Sequence, residues 1–259
     1  MFDAHCHLER MADANEVWQR SRKAGVHGVL IAGVNAEGWK KQNEMHDENI
    51  HVAWGLHPWS VAHATGEQIQ EQMDLLQKML ADPPVQPIAL GETGIDHSKR
   101  VSKESRDIQA TVFRQHIRLS KQYNLPLVLH IVRAHEQAIS ILKDEGLPPA
   151  GGMVHSFSGN GVDAKRYINM GLHISFSGTV TDVRRKKVRE VAKNIPMDRL
   201  LVETDAPDQT PITRPRGPNE PAFLVDVVNA VATLREETFE TVAKRTLRNA
   251  CLLFKLEIP

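Results

Sequence analysis

Thirteen histidines stand in this 259-residue chain, and several of them end short apolar runs. The first pair is His5 and His7, in Met-Phe-Asp-Ala-His-Cys-His. If Phe2–Cys6 is a strand, side chains two apart point to one side, so the two imidazoles converge while Cys6 faces away. Neutral imidazole is the commonest protein ligand for a metal ion, and this pair would supply half of a site. Other metal-capable residues close later apolar runs. They are His57 in Gly-Leu-His-Pro, Glu92 and Asp96 in Gly-Glu-Thr-Gly-Ile-Asp, His130 in Val-Leu-His, His155 in Met-Val-His, and Glu203 and Asp205 in Val-Glu-Thr-Asp.

The elements that must carry them follow a regular pattern. Strands are predicted at 2–6, 28–32, 51–55, 87–90, 125–129, 152–154, 172–176 and 200–202. Amphipathic helices are predicted between them at 12–23, 37–47, 67–80, 106–123, 136–143 and 182–193, with two closing helices at 221–234 and 236–253. Gly25, Gly146 and Gly171 fall just after helical patterns, where a left-handed cap is expected. Eight strands alternating with helices, none at hairpin spacing, call for a parallel sheet, and eight close into a (β/α)₈ barrel. An open doubly wound sheet would carry a glycine-rich phosphate loop after an early strand; here the first strand ends in His-Cys-His-Leu-Glu. With no repeat or linker, residues 1–259 are expected to form one hydrolase barrel.

In such a barrel the reactive residues come from the C-terminal strand ends, which is where these histidines and carboxylates fall. Buried imidazoles and carboxylates without partners are costly, so six at one barrel mouth are expected to share a purpose. A catalytic zinc needs only three protein ligands; His5, His7, Glu92, His130, His155 and Asp205 suit two divalent ions, zinc, manganese or magnesium. Glu92 is the expected bridge, with His5, His7 and Asp205 on one metal and His130 and His155 on the other. Two such metals can clamp the attacking and leaving oxygens of a phosphoryl displacement, and Asp205 is placed to act as general base. His57 either lines the pocket or caps strand three, and Asp96 and Glu203 are expected to hold ligands or loops in place. His27, His46, His51, His116 and His173 are read as structural; His63, His97 and His135 as substrate contacts or solvated groups.

Composition narrows the class further. A hydrophobic share of 41% and a charged share of 25% suit a soluble globular protein. No apolar run approaches the roughly 18–20 residues that span a bilayer, and no basic segment with an apolar stretch opens the chain, so the cytoplasm is the expected compartment. Cys6 and Cys251 are the only cysteines, which excludes a disulfide framework. Formal net charge is zero, so a polyanion would have to be drawn locally.

Asp-Ala-His-Cys-His-Leu, Gly-Leu-His-Pro, Gly-Glu-Thr-Gly-Ile-Asp, His-Ser-Phe-Ser-Gly, Val-Glu-Thr-Asp-Ala-Pro and Gly217-Pro218-Asn219-Glu220-Pro221 together resemble the TatD family of metal-dependent deoxyribonucleases. They follow the family's order over essentially the whole chain. The resemblance implies divalent-metal-dependent, exonucleolytic hydrolysis of DNA, with RNA as a substrate of some members, and puts the metal ligands at the same six positions. It also implies substrate contacts at His57, Arg133 and Asn219. The His130-Ile131-Val132-Arg133-Ala134 stretch departs from the more polar sequence of many relatives, which bears on substrate and not on metal.

Basic loops answer the neutral charge: Lys99, Arg100, Lys103, Arg106, Arg133, Arg184–Lys187, Arg214 and Arg216 all follow strands at the ligand-bearing end, where phosphate anchoring would need them. Trp54, Trp59 and Phe157 are candidates for stacking on a base or for walls. The expected protein is thus a monomeric DNA hydrolase with no membrane association. Its rivals are an amidohydrolase-type enzyme acting on a small amide, lactone or phosphoester, and a binding barrel whose metal is structural. Glu92 stands where the carbamylated-lysine subgroup of amidohydrolases has its lysine.

Overall fold

A computed structural model of the chain describes residues 1–257. Eight strands run in sequence order around a parallel barrel: β1 (Phe2–Cys6), β2 (Gly28–Ala32), β3 (Ile50–Trp54), β4 (Ala89–Asp96), β5 (Leu127–Val132), β6 (Gly152–Val154), β7 (His173–Phe176) and β8 (Leu200–Val202). The helices are α1 (Ala14–Lys23), α2 (Ala36–Met45), α3 (Pro58–His63), α4 (Gly66–Ala81), α5 (Arg106–Tyr123), α6 (His135–Glu145), α7 (Gly161–Asn169), α8 (Lys186–Asn194), α9 (Leu224–Arg235) and α10 (Phe239–Phe254). The (β/α)₈ fold expected from the sequence is the one observed, and Gly25, Gly146 and Gly171 all have positive φ.

Local side-chain chemistry starts several helices. Asn35 caps α2 by accepting the Gly38 N–H, and Thr65 with Gln68 forms a capping box on α4. The helix α7, absent from the sequence reading, is opened by a second capping box, Asn160 with Asp163. Helix α8 begins at Lys186, four residues later than expected, because Asp182 first closes a turn, its Oδ1 accepting the Arg184 N–H and its carbonyl the Arg185 N–H, both at 2.9 Å.

Two apolar layers hold the barrel. The lumen is filled by Phe2, Ala4, Leu30, Ala53, Ala89, Val128, Met153 and Leu201, and its lower end is plugged by Ala250, Leu253 and Phe254 of α10. The outer layer, between strands and helices, includes Cys6, Trp39, Trp54, Phe113 and Tyr167. Each leucine, valine, methionine or phenylalanine buried this completely contributes roughly 1.5–3 kcal/mol.

Two β-bulges set the upper half of the barrel. From Asp3 to Cys6, β1 advances three residues while β2 advances two, from Val29 to Ile31. From Leu90 to Thr93, β4 advances three while β5 advances two, from Leu127 to Leu129. An extra residue inverts which side chains face inward. Below the bulges Ala4 and Ala89 point into the lumen; above them His5, His7 and Glu92 do. Strict alternation from Phe2 and Ala4 would have sent Cys6 inside. Between β8 and β1 the barrel closes through backbone bonds from Asp205 N to His5 O (2.9 Å) and from His7 N to Ala206 O (2.7 Å). The buried Asp3 carboxylate adds to that seam, accepting from Thr204 N at 2.9 Å and Thr204 Oγ1 at 2.5 Å.

Candidate metal centre

Glu92 sits inside β4 with its two carboxylate oxygens facing different groups. Oε2 lies 3.4 Å from His5 Nε2 and 3.5 Å from His7 Nε2. Asp205 Oδ1 approaches the same nitrogens at 3.4 and 3.5 Å. On the other side, Glu92 Oε1 lies 2.8 Å from both His130 Nδ1 and His155 Nε2. The six positions expected to hold metal therefore converge around Glu92; His155 also comes within ligand reach of His5 and Asp205, and His57 within reach of Glu92 and His130, so the groups overlap more than the sequence suggested. All six are buried. Sequence reasoning placed Glu92 just past a short strand; the strand instead continues to Asp96, held there by its ladder to β5.

Second partners fix which nitrogen each imidazole offers. His7 Nδ1–H donates to the Ala32 carbonyl at 2.9 Å, His130 Nε2–H to Asp96 at 3.1 Å, and His155 Nδ1–H to Glu203 at 3.2 Å. In its neutral form each is left with a lone pair aimed at the centre. His57 has the opposite arrangement. Its Nδ1 accepts the Trp59 N–H at 2.9 Å, so in the neutral ring Nε2 carries the proton, 3.3 Å from Glu92 Oε1. Burial drives the His57 pKa down to about 4, against the pull of Glu92, which keeps that neutral form. His57 lines the cavity as a hydrogen-bond donor.

Electrostatics oppose leaving this donor set bare. His5 Nε2 and His7 Nε2 lie 3.3 Å apart, and His130 Nδ1 and His155 Nε2 3.2 Å apart, so lone pairs point at one another unless a proton or cation separates them. Burial works against charge on His5 and His155, yet Glu92 together with Asp205 for His5, and Glu92 together with Glu203 for His155, outweigh it, raising His5 to about 9 and His155 well above the ordinary range. Burial also opposes ionisation of Glu92 and Asp205. His155 foremost for Glu92, and hydrogen bonds from His5 and His7 for Asp205, hold both pKa values well below normal. Donors about 3.3–3.4 Å apart are what a tetrahedral ion with bonds of about 2.0–2.1 Å requires. The residues present fit a divalent metal.

Above the centre opens a cavity of about 630 Å³, lined among others by Trp59, Ser156, Gln209, Arg10, Arg100 and Arg185. Of the basic residues expected there, Arg100 and Arg185 line it. Arg184 is drawn onto Asp182 and Arg214 onto Asp226. Arg133 is exposed and outside the wall, at a left-handed φ of 54° that turns it away from Ile131 and Val132. Asn219 is likewise not a cavity residue: fully buried, it gives its amide hydrogens to Thr204 O and Asp208 O, both at 2.8 Å, and so ties down the loop after β8. Both positions concern substrate contacts and leave the metal donors untouched. Trp54 and Phe157 are buried in the outer layer. Trp59 alone of the three aromatic candidates faces the cavity, its Nε1–H on Asp96 at 2.6 Å and the Arg100 guanidinium 5.0 Å over its ring. His63, His97 and His135 do not line it.

Sequence reasoning did not single out Arg10, Gln209 or Ser156, although Ser156 directly follows His155 in the His-Ser-Phe-Ser-Gly motif. Gly55 illustrates how tightly the centre is built: a Cβ there would lie 2.6 Å from the Gly91 backbone, so only glycine lets β3 approach the segment carrying Glu92.

Residues 2–255 match the family model described as TatD related DNase. An uncharacterized metal-dependent hydrolase, YabD of Bacillus subtilis, is 36% identical over 99% of both chains. The 3'-5' ssDNA/RNA exonuclease TatD of Pantoea vagans is 35% identical over 99% of this chain and 100% of its own. Among solved structures, the TatD homologue YJJV from Escherichia coli superposes with a TM-score of 0.90 at 29% identity, covering 99% of this chain and 98% of that one. No helix among the described residues is long and apolar enough to cross a membrane.

Proposed function

The chain belongs to the TatD-related DNase family of metal-dependent hydrolases, and on that premise we propose that it trims DNA from an end by hydrolysing phosphodiester bonds. RNA is the competing substrate. The observation that carries this reading is the Glu92 carboxylate, which presents one oxygen to each of two donor groups on the floor of a cavity edged by arginines. A relative described as an ssDNA/RNA exonuclease, matching over its full length, supports the same substrate class.

His5, His7, Glu92 and Asp205 would hold one divalent ion, and Glu92, His130 and His155 a second. When bound, such ions acidify water and neutralise charge on the transferring phosphate. The imidazole-rich set suits zinc or manganese better than magnesium. Asp205 is kept ionised by His5 and His7 and accepts the proton of the attacking water at Oδ2, the oxygen turned from the histidine pair. His57 donates from Nε2 toward the reacting centre. Asp96 and Glu203 hold His130 and His155 in register. Arg10, Arg100 and Arg185 anchor flanking phosphates, and the Trp59 face receives a base.

The test is cleavage of end-labelled single-stranded DNA and RNA by protein loaded separately with magnesium, manganese or zinc, beside a panel of small esters, lactones and amides. Stepwise shortening of the DNA from one end is expected. Turnover of a small ester or lactone with no DNA cleavage under any metal would instead establish the amidohydrolase-type reading.

A further inference from the structure

Gln209 lies in the loop after β8 and adopts a left-handed φ of 56°. Its neighbours in space, Asp205 and Ser156, have φ values of 59° and 40°. Such conformations cost non-glycine residues free energy and persist only where the surroundings impose them. Gln209 Nε2 donates to Asp205 Oδ2. A carboxylate can only accept, so the amide orientation is settled: nitrogen toward Asp205, oxygen away. Oε1 then accepts from Ser156 Oγ at 2.8 Å and Ser177 Oγ at 2.5 Å. These serines follow β6 and β7, so Gln209 ties three strand ends together. The Gln209 backbone is seated as tightly. A Cβ at Gly178 would lie 1.9 Å from its carbonyl oxygen, and only glycine allows that approach.

We propose that Gln209 is the positioning residue of the metal centre, gripping Asp205 by Oδ2 so that Oδ1 alone is presented to His5 and His7. The proposal rests on the reading of Asp205 as a metal ligand. A carboxylate held at one oxygen cannot swing to offer both or neither. The same grip uses one lone pair of Oδ2 and leaves that oxygen a second with which to accept from an incoming water. The two serines make the grip firm, because with Oε1 bound at both hydroxyls the amide cannot flip.

The experiment measures manganese and zinc affinity by chelator competition, together with kcat and KM on DNA, for wild type and for Gln209→Met, Ser177→Ala and Asp205→Asn. Gln209→Met keeps the length of the side chain and loses the N–H. It is expected to weaken metal binding by about 10–100-fold, as removal of groups that orient ligands does, and to lower kcat more than KM is raised. Ser177→Ala, which loosens the amide without removing it, is expected to have a smaller effect in the same direction and guards against a Gln209 variant that does not fold. Wild-type affinity in both Gln209→Met and Ser177→Ala, with weakened binding in Asp205→Asn, overturns the positioning role and leaves the ligand reading standing. Unchanged affinity in Asp205→Asn overturns the ligand reading itself.

Discussion

Replacing His116 by leucine asks whether the loop carrying His57 is braced from behind by a neutral imidazole. His116 is fully buried in α5. Its Nδ1–H donates to the Val112 carbonyl at 2.8 Å, and its Nε2 accepts the Leu56 N–H at 3.1 Å. Burial lowers its pKa from the ordinary 6.5 to about 4, with the Val112 bond pulling weakly the other way. The unfolded chain therefore takes up this proton near pH 6.5 and the folded chain only near pH 4. The stabilising contribution is full above that window and is lost as pH falls through it. By pH 4.5 the loss amounts to about 2.5 kcal/mol. Leucine fills similar space and does not titrate, but it leaves the Leu56 N–H buried without an acceptor, at a cost of about 1–3 kcal/mol. Wild type should thus be the more stable by about 1–3 kcal/mol near pH 7.5, and the difference should vanish or reverse near pH 4.5. His116→Gln restores an acceptor without a titrating group, so it should match wild type at the higher pH and exceed it at the lower. Urea unfolding of chelator-treated protein at both values, followed by circular dichroism, measures this. His57 and His173, also driven down to about 4 chiefly by burial, are common to all three proteins and cancel in the comparison. A His116→Leu penalty that is the same at both pH values refutes the reasoning.

Glu92→Ala and Asp205→Asn should abolish hydrolysis with an unchanged far-ultraviolet spectrum; wild-type turnover in either removes that residue from the mechanism. Trp59→Ala should raise KM for an oligonucleotide by roughly 10-fold, since base stacking is worth about 1–3 kcal/mol. Trp59→Phe, which keeps a ring but loses the bond to Asp96, should raise KM less, and equal effects would argue against stacking. Three arginines in the cavity wall predict a slope of about −2 when log affinity for single-stranded DNA is plotted against log salt; a flat line excludes phosphate anchoring. Because their carboxylate neighbours push His5 and His155 toward the protonated form in the metal-free centre, metal loading should release protons. Calorimetry in two buffers of different ionisation enthalpy counts them, and no release would contradict the protonated pair.

The barrel and its six candidate ligands were legible because both are periodic. Apolar runs, capping glycines and helical spacing fall at regular distances, and a chemical residue at the end of an apolar run has few structural explanations. Side-chain direction was less accessible. Arg133 follows the right strand, yet a left-handed backbone turns it outward, and Asn219 sits in the right motif but spends its amide on two carbonyls. Neither outcome has a local signature, since each is imposed by tertiary partners. Ser156 and Gln209 were missed for the same reason: non-glycine residues adopt left-handed conformations only where distant segments force them. The proton on His57 depends on the backbone N–H of Trp59, a feature of one turn's geometry.

The bulges in β1 and β4 mark the deepest gap between pattern and structure. Alternation correctly suggested that His5 and His7 share a side and that Cys6 faces the helices. It gave no reason why Phe2 and Ala4, even-numbered like Cys6, should face inward. One inserted residue reconciles the two halves of β1, and another does the same where β4 passes from Ala89 to Glu92. Small alanines can then close the lumen directly beneath long polar ligands, and neither layer takes space from the other. A strand of strict alternation would have to choose between packing the lower barrel and arming its mouth, because a one-residue slip moves every side chain to the opposite face. Both halves of the candidate centre depend on this device: His5 and His7 stand above one bulge, Glu92 above the other, and the Glu92 carboxylate spans the space between the two donor groups.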